Sequence, residues 1–166
     1  MLILGIDPGT GTTGYGIVEV QGSNLQAVDY GAIRTKTTDE MPTRLCTLHD
    51  ALKELIGASK PDVIAVEQLF FNTNVTSAIA VGQARGVILL TAAQAKIPLA
   101  EYTPLQVKQT ITGHGRATKQ QVGFMVKALL SLKTVPRPDD VADALAIAIC
   151  HAHMGLTYDR LVKSIR

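Results

Sequence analysis

Leu2-Ile3-Leu4-Gly5-Ile6-Asp7 is the stretch on which the reading of this chain turns. A short apolar run closes on one carboxylate, and Pro8-Gly9-Thr10-Gly11-Thr12-Thr13-Gly14 follows at once. An apolar run of this length at the start of a domain reads as a buried central strand. A carboxylate at the end of such a strand is partly desolvated, which costs free energy unless a cation or hydrogen-bond donors meet it. The ends of central strands are also where α/β folds place their sites. Asp7 alone leaves two readings open: a site residue, or the end of a strand that turns through Asp-Pro-Gly.

Outward from this strand, Tyr15 to Val20 predicts a second strand, Gln21-Gly22-Ser23-Asn24 a turn, and Leu25 to Thr35 a third, together an antiparallel meander. Leu45, Leu48, Leu52, Leu55 and Ile56 recur at helical spacing, which predicts a helix from Pro42 to Ile56 that stops at Gly57. Val63-Ile64-Ala65-Val66-Glu67 is a second apolar run that ends on a carboxylate. A loop with Phe70 and Phe71 follows, then a long Ala- and Gly-rich helix from Val75 to Lys96. Pro98 to Thr103 reads as a strand, and Pro104 opens a short helix containing Lys108. Thr118 and Gln121 have capping-box spacing ahead of another helix. After Pro136-Arg137-Pro138 a last helix starts at Asp139-Asp140 and runs to His151, with a polar tail from Gly155. Three antiparallel strands followed by β-α alternation give an α/β domain: a mixed five-stranded sheet with helices on both faces. The domain is expected over residues 1–155, with 156–166 as a polar C-terminal tail.

The 166 residues suit one domain with a sizeable core, and 46% apolar against 18% charged content excludes a disordered chain. Cys46 and Cys150 fit no metal or redox spacing and read as small buried hydrophobes. Met1 leads straight into a strand without a basic leader, and the apolar helix near 75–97 carries Gln83, Arg85, Gln94 and Lys96. A cytoplasmic protein without a membrane span is therefore expected. The net charge of +2 conceals an uneven distribution: residues 1–83 carry −4 and residues 84–166 carry +6. Between Glu101 and Asp139 there is no acid, while Lys108, Arg116, Lys119, Lys127, Lys133 and Arg137 fall in that interval. Six cations without a counter-charge favour a phosphate-binding surface over scattered solvated lysines.

If the strands ending at Asp7 and Glu67 are parallel neighbours, both carboxylates lie at one sheet edge. Asp140 and Asp143, three apart, share a helix face. Four carboxylates brought together cannot all stay ionised without cations, and hard oxygen ligands suit Mg²⁺ or Mn²⁺. Two such ions about 3.5–4 Å apart activate a water and stabilise the leaving oxygen of a phosphodiester cleavage. Asp139 and Asp140 are equally readable as acids that satisfy a helix N-terminus. By position Asp139 is well placed as the N-cap; Asp140, one turn before Asp143, shares its face, and Asp139, four before Asp143, is left open by geometry. An exposed ring in the Phe70-Phe71 loop would stack on unpaired bases. His114, between two glycines, reads as an exposed histidine.

The chain also resembles the RuvC-type Holliday junction resolvases, nucleases of the ribonuclease H-like superfamily. The resemblance rests on Gly5-Ile6-Asp7-Pro8-Gly9 with Thr13-Gly14-Tyr15-Gly16, on Ala65-Val66-Glu67-Gln68 with Phe70, and on Gly82-Gln83-Ala84-Arg85-Gly86. It continues in Gln106-Val107-Lys108-Gln109-Thr110 and Asp143-Ala144-Leu145-Ala146-Ile147-Ala148. It implies that Asp7, Glu67, Asp140 and Asp143 are metal-binding catalytic acids, and that Lys108 and Lys119 contact DNA. It also implies that Phe70 stacks on a base near the junction centre. Arg116, from the basic interval, joins the candidate DNA contacts. The resemblance further implies a homodimer that nicks opposed strands of four-way junction DNA and works with the RuvA–RuvB branch-migration complex.

One rival reading comes from the same first stretch. The glycine-rich loop from Asp7 to Gly14 also looks like the first phosphate loop of actin-like ATPases and sugar kinases, with Asp7 holding Mg²⁺ through water. Those proteins enclose a nucleotide between two such domains, and no second glycine-rich phosphate loop is present in the sequence.

Overall fold

The computed structural model describes residues 1–68 and 75–164, apart from the side chains of 75–77 and 156–164. The elements run β1 (Leu2–Asp7), β2 (Thr12–Gln21), β3 (Asn24–Arg34), α1 (Met41–Ser59), β4 (Val63–Glu67), α2 (Val75–Gln94), β5 (Leu99–Tyr102), α3 (Pro104–Thr112), α4 (Lys119–Leu129) and α5 (Asp139–Ser164). The five strands form one sheet in the order β3-β2-β1-β4-β5. β1 is antiparallel to β2 and β2 to β3, whereas β1–β4 and β4–β5 are parallel. The expected mixed sheet is present, and β1 lies at its centre.

Alternation along the strands sorts side chains to two cores. Leu4, Ile6, Ile17, Ile64 and Val66 face α1 and α2, against Leu48, Leu52, Ile56, Ala84 and Ile88. Ile3, Val18, Val63 and Ala65 face the other way, against α3, α4 and α5. A strand buried on both faces shows no polar alternation, which is why β1 and β4 read as continuous apolar runs.

α5 approaches the sheet more closely than side chains allow. A Cβ on Gly5 would lie 2.1 Å from the Ala144 carbonyl oxygen, and one on Gly14 would lie 2.0 Å from that of Asp140. A Cβ on Gly16 would meet the Leu145 side chain at 2.6 Å. Gly5 pairs with Gly16 and Asp7 with Gly14 across β1 and β2. The glycines therefore make one smooth patch, and the Ala-rich helix lies on it.

Four local expectations are corrected. β2 starts at Thr12 rather than Tyr15, because Gly14 already pairs with Asp7. α1 runs past Gly57 and stops at Lys60, whose left-handed backbone (φ 49°) lets its N–H bond the Ile56 carbonyl at 2.8 Å. Gly57 lies on the open side of the helix, with nothing near it to force a turn. Cys46 is exposed, because it falls just off the Leu45-Leu48-Leu52 stripe, whereas Cys150 is buried as expected. α5 continues beyond His151 to Ser164, through a segment with no proline to break it.

Candidate active site

Period-2 alternation aims Asp7 at the α5 side of the sheet, after Ile3 and Gly5, and aims Glu67 the same way, after Val63 and Ala65. Because Ile6 pairs with Val66 in parallel register, the two carboxylates leave adjacent strands at one edge. α5 then sets its first turn above them: the Gly14 contact fixes Asp140, and Asp143 lies three residues further along the same face.

Two capped helices complete the wall. Thr103 and Gln106 form a capping box at the start of α3, and Thr118 and Gln121 form one at the start of α4. The caps fix where each helix begins, and hence where Lys108 and Lys119 emerge. Val107 and Val122 anchor the same turns in the core. The result is a cleft of about 230 Å³ lined by Asp7, Glu67, Lys108, Lys119 and Asp143, with Pro104, Val107 and Val122 as its apolar wall. Lys119 Nζ donates to Asp143 Oδ2 at 2.9 Å.

The charges in this cleft oppose one another. Burial, reinforced by Glu67, Asp143 and Asp140, pushes the Asp7 carboxyl up to about 8. Burial and Asp143 push Glu67 up to about 7, against the pull of Lys119 and Lys108. The hydrogen bond to Asp143 raises Lys119. Acids displaced this far from their ordinary range mark a site built for a positive ligand. Among the described residues no three acids, histidines or cysteines converge on one point at ligand distance. It is the charge and the all-oxygen chemistry of the set, rather than a preformed cage, that fit a hard divalent cation.

Other expectations fall differently. Asp140 acts on Asp7 electrostatically but does not line the cleft. Asp139 is the first helical residue of α5 rather than its N-cap, and its carboxylate accepts from the Arg137 guanidinium. The Val141 N–H bonds the Pro138 carbonyl at 3.0 Å, so the backbone closes this turn without that carboxylate. Arg116 is exposed and stands outside the acidic cleft. Phe70, with the rest of its loop, lies outside the described residues.

In the rival phosphate loop the Gly9 N–H, a donor a phosphate would use, is turned inward to Thr13. The Thr13 hydroxyl donates to the Gly9 carbonyl at 2.6 Å, the Gly9 N–H donates to Thr13 Oγ1, and the Thr35 N–H bonds the Gly11 carbonyl.

Sequence reasoning missed two supports. One is the Gly5-Gly14-Gly16 patch, whose only signal is glycine at alternate positions of neighbouring strands. The other is a tie between Tyr102 and His151, where the phenol oxygen and Nδ1 lie 2.7 Å apart and the rings meet edge to face. Tyr102 pairs with Glu67 in the β4–β5 register, and His151 lies two turns beyond Asp143. The pair therefore links the strand and the helix that carry the acids.

Comparison with known proteins identifies the family. Residues 3–151 match the family model of the crossover junction endodeoxyribonuclease RuvC. The crossover junction endodeoxyribonuclease RuvC of Desulforamulus reducens is 53% identical over 98% of this chain and 100% of its own length. That of Desulfitobacterium hafniense is 59% identical over 92% of this chain and 93% of its own. T. thermophilus RuvC in complex with a Holliday junction substrate superposes with a TM-score of 0.87 at 34% identity, covering 95% of this chain and 96% of that one. The fold is thus ribonuclease H-like, and the chain belongs to the RuvC family of crossover junction endodeoxyribonucleases.

Proposed function

We propose that this DNA endonuclease resolves four-way junctions by nicking two opposed strands, and that Asp7, Glu67, Asp140 and Asp143 are its catalytic acids. The observation that carries this reading is the edge cleft, where half-buried carboxylates from β1, β4 and α5 meet beside Lys108 and Lys119, and burial and the neighbouring acids push Asp7 and Glu67 up. The acids would hold Mg²⁺, or Mn²⁺ in its place, as two ions per site. A bound dication of this kind supplies Lewis acidity and a nucleophilic water at neutral pH. The protein's own part is placement. β1 and β4 hold Asp7 and Glu67 rigidly, and α5 holds Asp140 and Asp143 over them. Lys108 and Lys119 orient the phosphodiester, Arg116 binds the DNA backbone further out, and Phe70 stacks on a base at the junction.

Residues 1–155 form the nuclease domain, and 156–166 lie outside it as a tail. Two symmetric nicks need two sites related by a dyad, so the working species is a homodimer. α2 is its interface: Ile79 and Leu90 are 58% and 54% exposed, and Gly86 between them leaves room for close approach. No helix among the described residues is long and apolar enough to cross a membrane. The enzyme acts in the cytoplasm alongside the RuvA–RuvB branch-migration complex. The decisive experiment compares cleavage of a synthetic four-way junction with that of a linear duplex of the same sequence, in Mg²⁺ and in excess EDTA. Paired, Mg²⁺-dependent nicks confined to the junction are expected. Equal cutting of the duplex, or full activity in EDTA, overturns the reading.

A further inference from the structure

We propose that the groove between the α3–α4 loop and the outer face of α4 is a nucleobase subsite, in which the Phe124 ring stacks against an unpaired base of the bound DNA. The proposal rests on the junction-nuclease reading above and adds a residue to it.

The groove is a wide, open depression of about 520 Å³ whose lining includes Thr112, His114, Thr118, Gln120, Phe124 and Met125. That volume falls within the range of about 300–1,000 Å³ usual for ligand sites. Phe124 is 62% exposed, although its neighbours Val122, Gly123 and Val126 are buried. Helical spacing explains the position: residues 122, 123 and 126 face the core, and 120 and 124 share the outer face. A single exposed apolar side chain on a flat surface means little. Here the ring lies in a concavity rimmed by amide, hydroxyl and imidazole groups. A π-face with hydrogen-bonding tips around it matches a base, which offers a stacking face and a polar edge. Gln121 is committed to the capping box through its bond to the Thr118 N–H at 2.8 Å. Gln120 and His114 are therefore the side chains in position to meet a base edge.

Charge and continuity select DNA over a protein partner. Among the described residues no carboxylate lines the groove, and none occurs in the sequence between Glu101 and Asp139. Lys119 lines the catalytic cleft, and Gln120, the next residue, lines the groove. From Lys119 to Phe124 is five residues, about 7.5 Å along a helix axis. That is about two nucleotide steps along a strand at roughly 3.4 Å each. Lys119 and Phe124 also lie about 140° apart around the helix, so a strand with its phosphate at Lys119 reaches Phe124 with a base by curving over the first turns of α4.

The test places 2-aminopurine singly at the nucleotides flanking the cut in a four-way junction and reads its fluorescence on binding in Ca²⁺. For the wild type, stacking should quench the probe at one of these positions. Phe124→Ala should abolish that quenching and weaken junction binding at least about 5-fold, while affinity for linear duplex changes less than 2-fold. Phe124→Tyr should restore both. Because Phe124 is mostly exposed, the variants keep the wild-type melting profile. Unchanged quenching in a Phe124→Ala protein that still cuts junctions overturns the subsite and leaves the nuclease reading intact. A shift in oligomeric state with unchanged quenching assigns the groove to a second copy and also overturns it. Failure of the wild type to bind or cut junctions removes both readings together.

Discussion

Gly14→Ala tests whether the close seating of α5 positions the catalytic acids. A Cβ at residue 14 would lie 2.0 Å from the Asp140 carbonyl oxygen, whereas ordinary contact begins at 3.4 Å. The obstacle is backbone, not the end of a flexible side chain, so α5 and β2 must part by about 1.4 Å. Overpacking of this kind costs about 1–3 kcal/mol. In a domain of this size each kcal/mol shifts the melting temperature by about 2–4 °C, so a loss of about 2–12 °C is expected. Cleavage should suffer more, because a misplacement of about 1 Å in a catalytic group costs about 100-fold. The matched control is Leu52→Ala, a fully buried residue on the α1 side of the sheet. It should cost about 2–5 kcal/mol and leave cleavage near wild type at a temperature where the protein is folded. Gly57→Ala, with no atom within 4 Å of the new Cβ, should stabilise by about 0.5–1 kcal/mol. Single-turnover junction cleavage and melting curves for the three variants separate stability from positioning. Gly14→Ala cutting within 3-fold of wild type while folded would refute the argument.

Titration of the acids should be visible in stability. A carboxyl raised in the folded state binds its proton more tightly there than in the unfolded chain, so it costs stability as pH rises from its ordinary range towards the raised value. For Asp7 that window runs from about 4 to about 8. In EDTA, Asp7→Asn should therefore match wild type near pH 4 and melt higher near pH 8; a variant that melts lower at pH 8 contradicts the repulsion. Lys108→Ala and Lys119→Ala should each lower the slope of log K against log salt by about 0.9 on junction arms, and an unchanged slope in both places them off the DNA path. Asp140→Asn should cripple cleavage with little loss of stability. Asp139→Ala removes only an exposed ion pair, worth about 0–1 kcal/mol, and should keep most activity. The reverse pattern in turnover assays would exchange their roles.

How much of this was legible in the sequence depends on which physical signal each part leaves. β1 and β4 were readable because double-sided burial makes an unbroken apolar run, and the carboxylates were conspicuous because they end such runs. The two capping boxes were readable because their chemistry is local. Gly57 misled because glycine stops a helix only where the chain must turn, and α1 had another half-turn to make before Lys60. Asp139 misled because spacing alone cannot tell a cap from the first helical residue: the Pro138 carbonyl took the bond expected of its side chain. Phe124 left no trace, since an aromatic one residue off an apolar stripe looks like part of it. The glycine patch was hidden for a different reason. Its meaning lies in α5, more than a hundred residues away, and only the β1–β2 register brings Gly5, Gly14 and Gly16 together.

That patch also explains how the site tolerates its own electrostatics. Carboxylates on three elements repel, and separate elements would relieve the repulsion by moving apart. They are prevented from doing so because α5 is among the most deeply buried parts of the molecule, with Ala144, Leu145, Ala146, Ala148, Ile149 and Cys150 fully excluded from solvent. The apolar contact of that helix with the sheet holds the acids against their mutual repulsion, and the closeness of the contact depends on glycines that contribute no side chain. Neutralising Asp7 or Glu67 therefore gains stability near neutral pH and loses chemistry, whereas substitutions that fill the glycine patch lose both. The two classes report on opposite sides of one balance, between a core that pulls α5 down and charges that push it away.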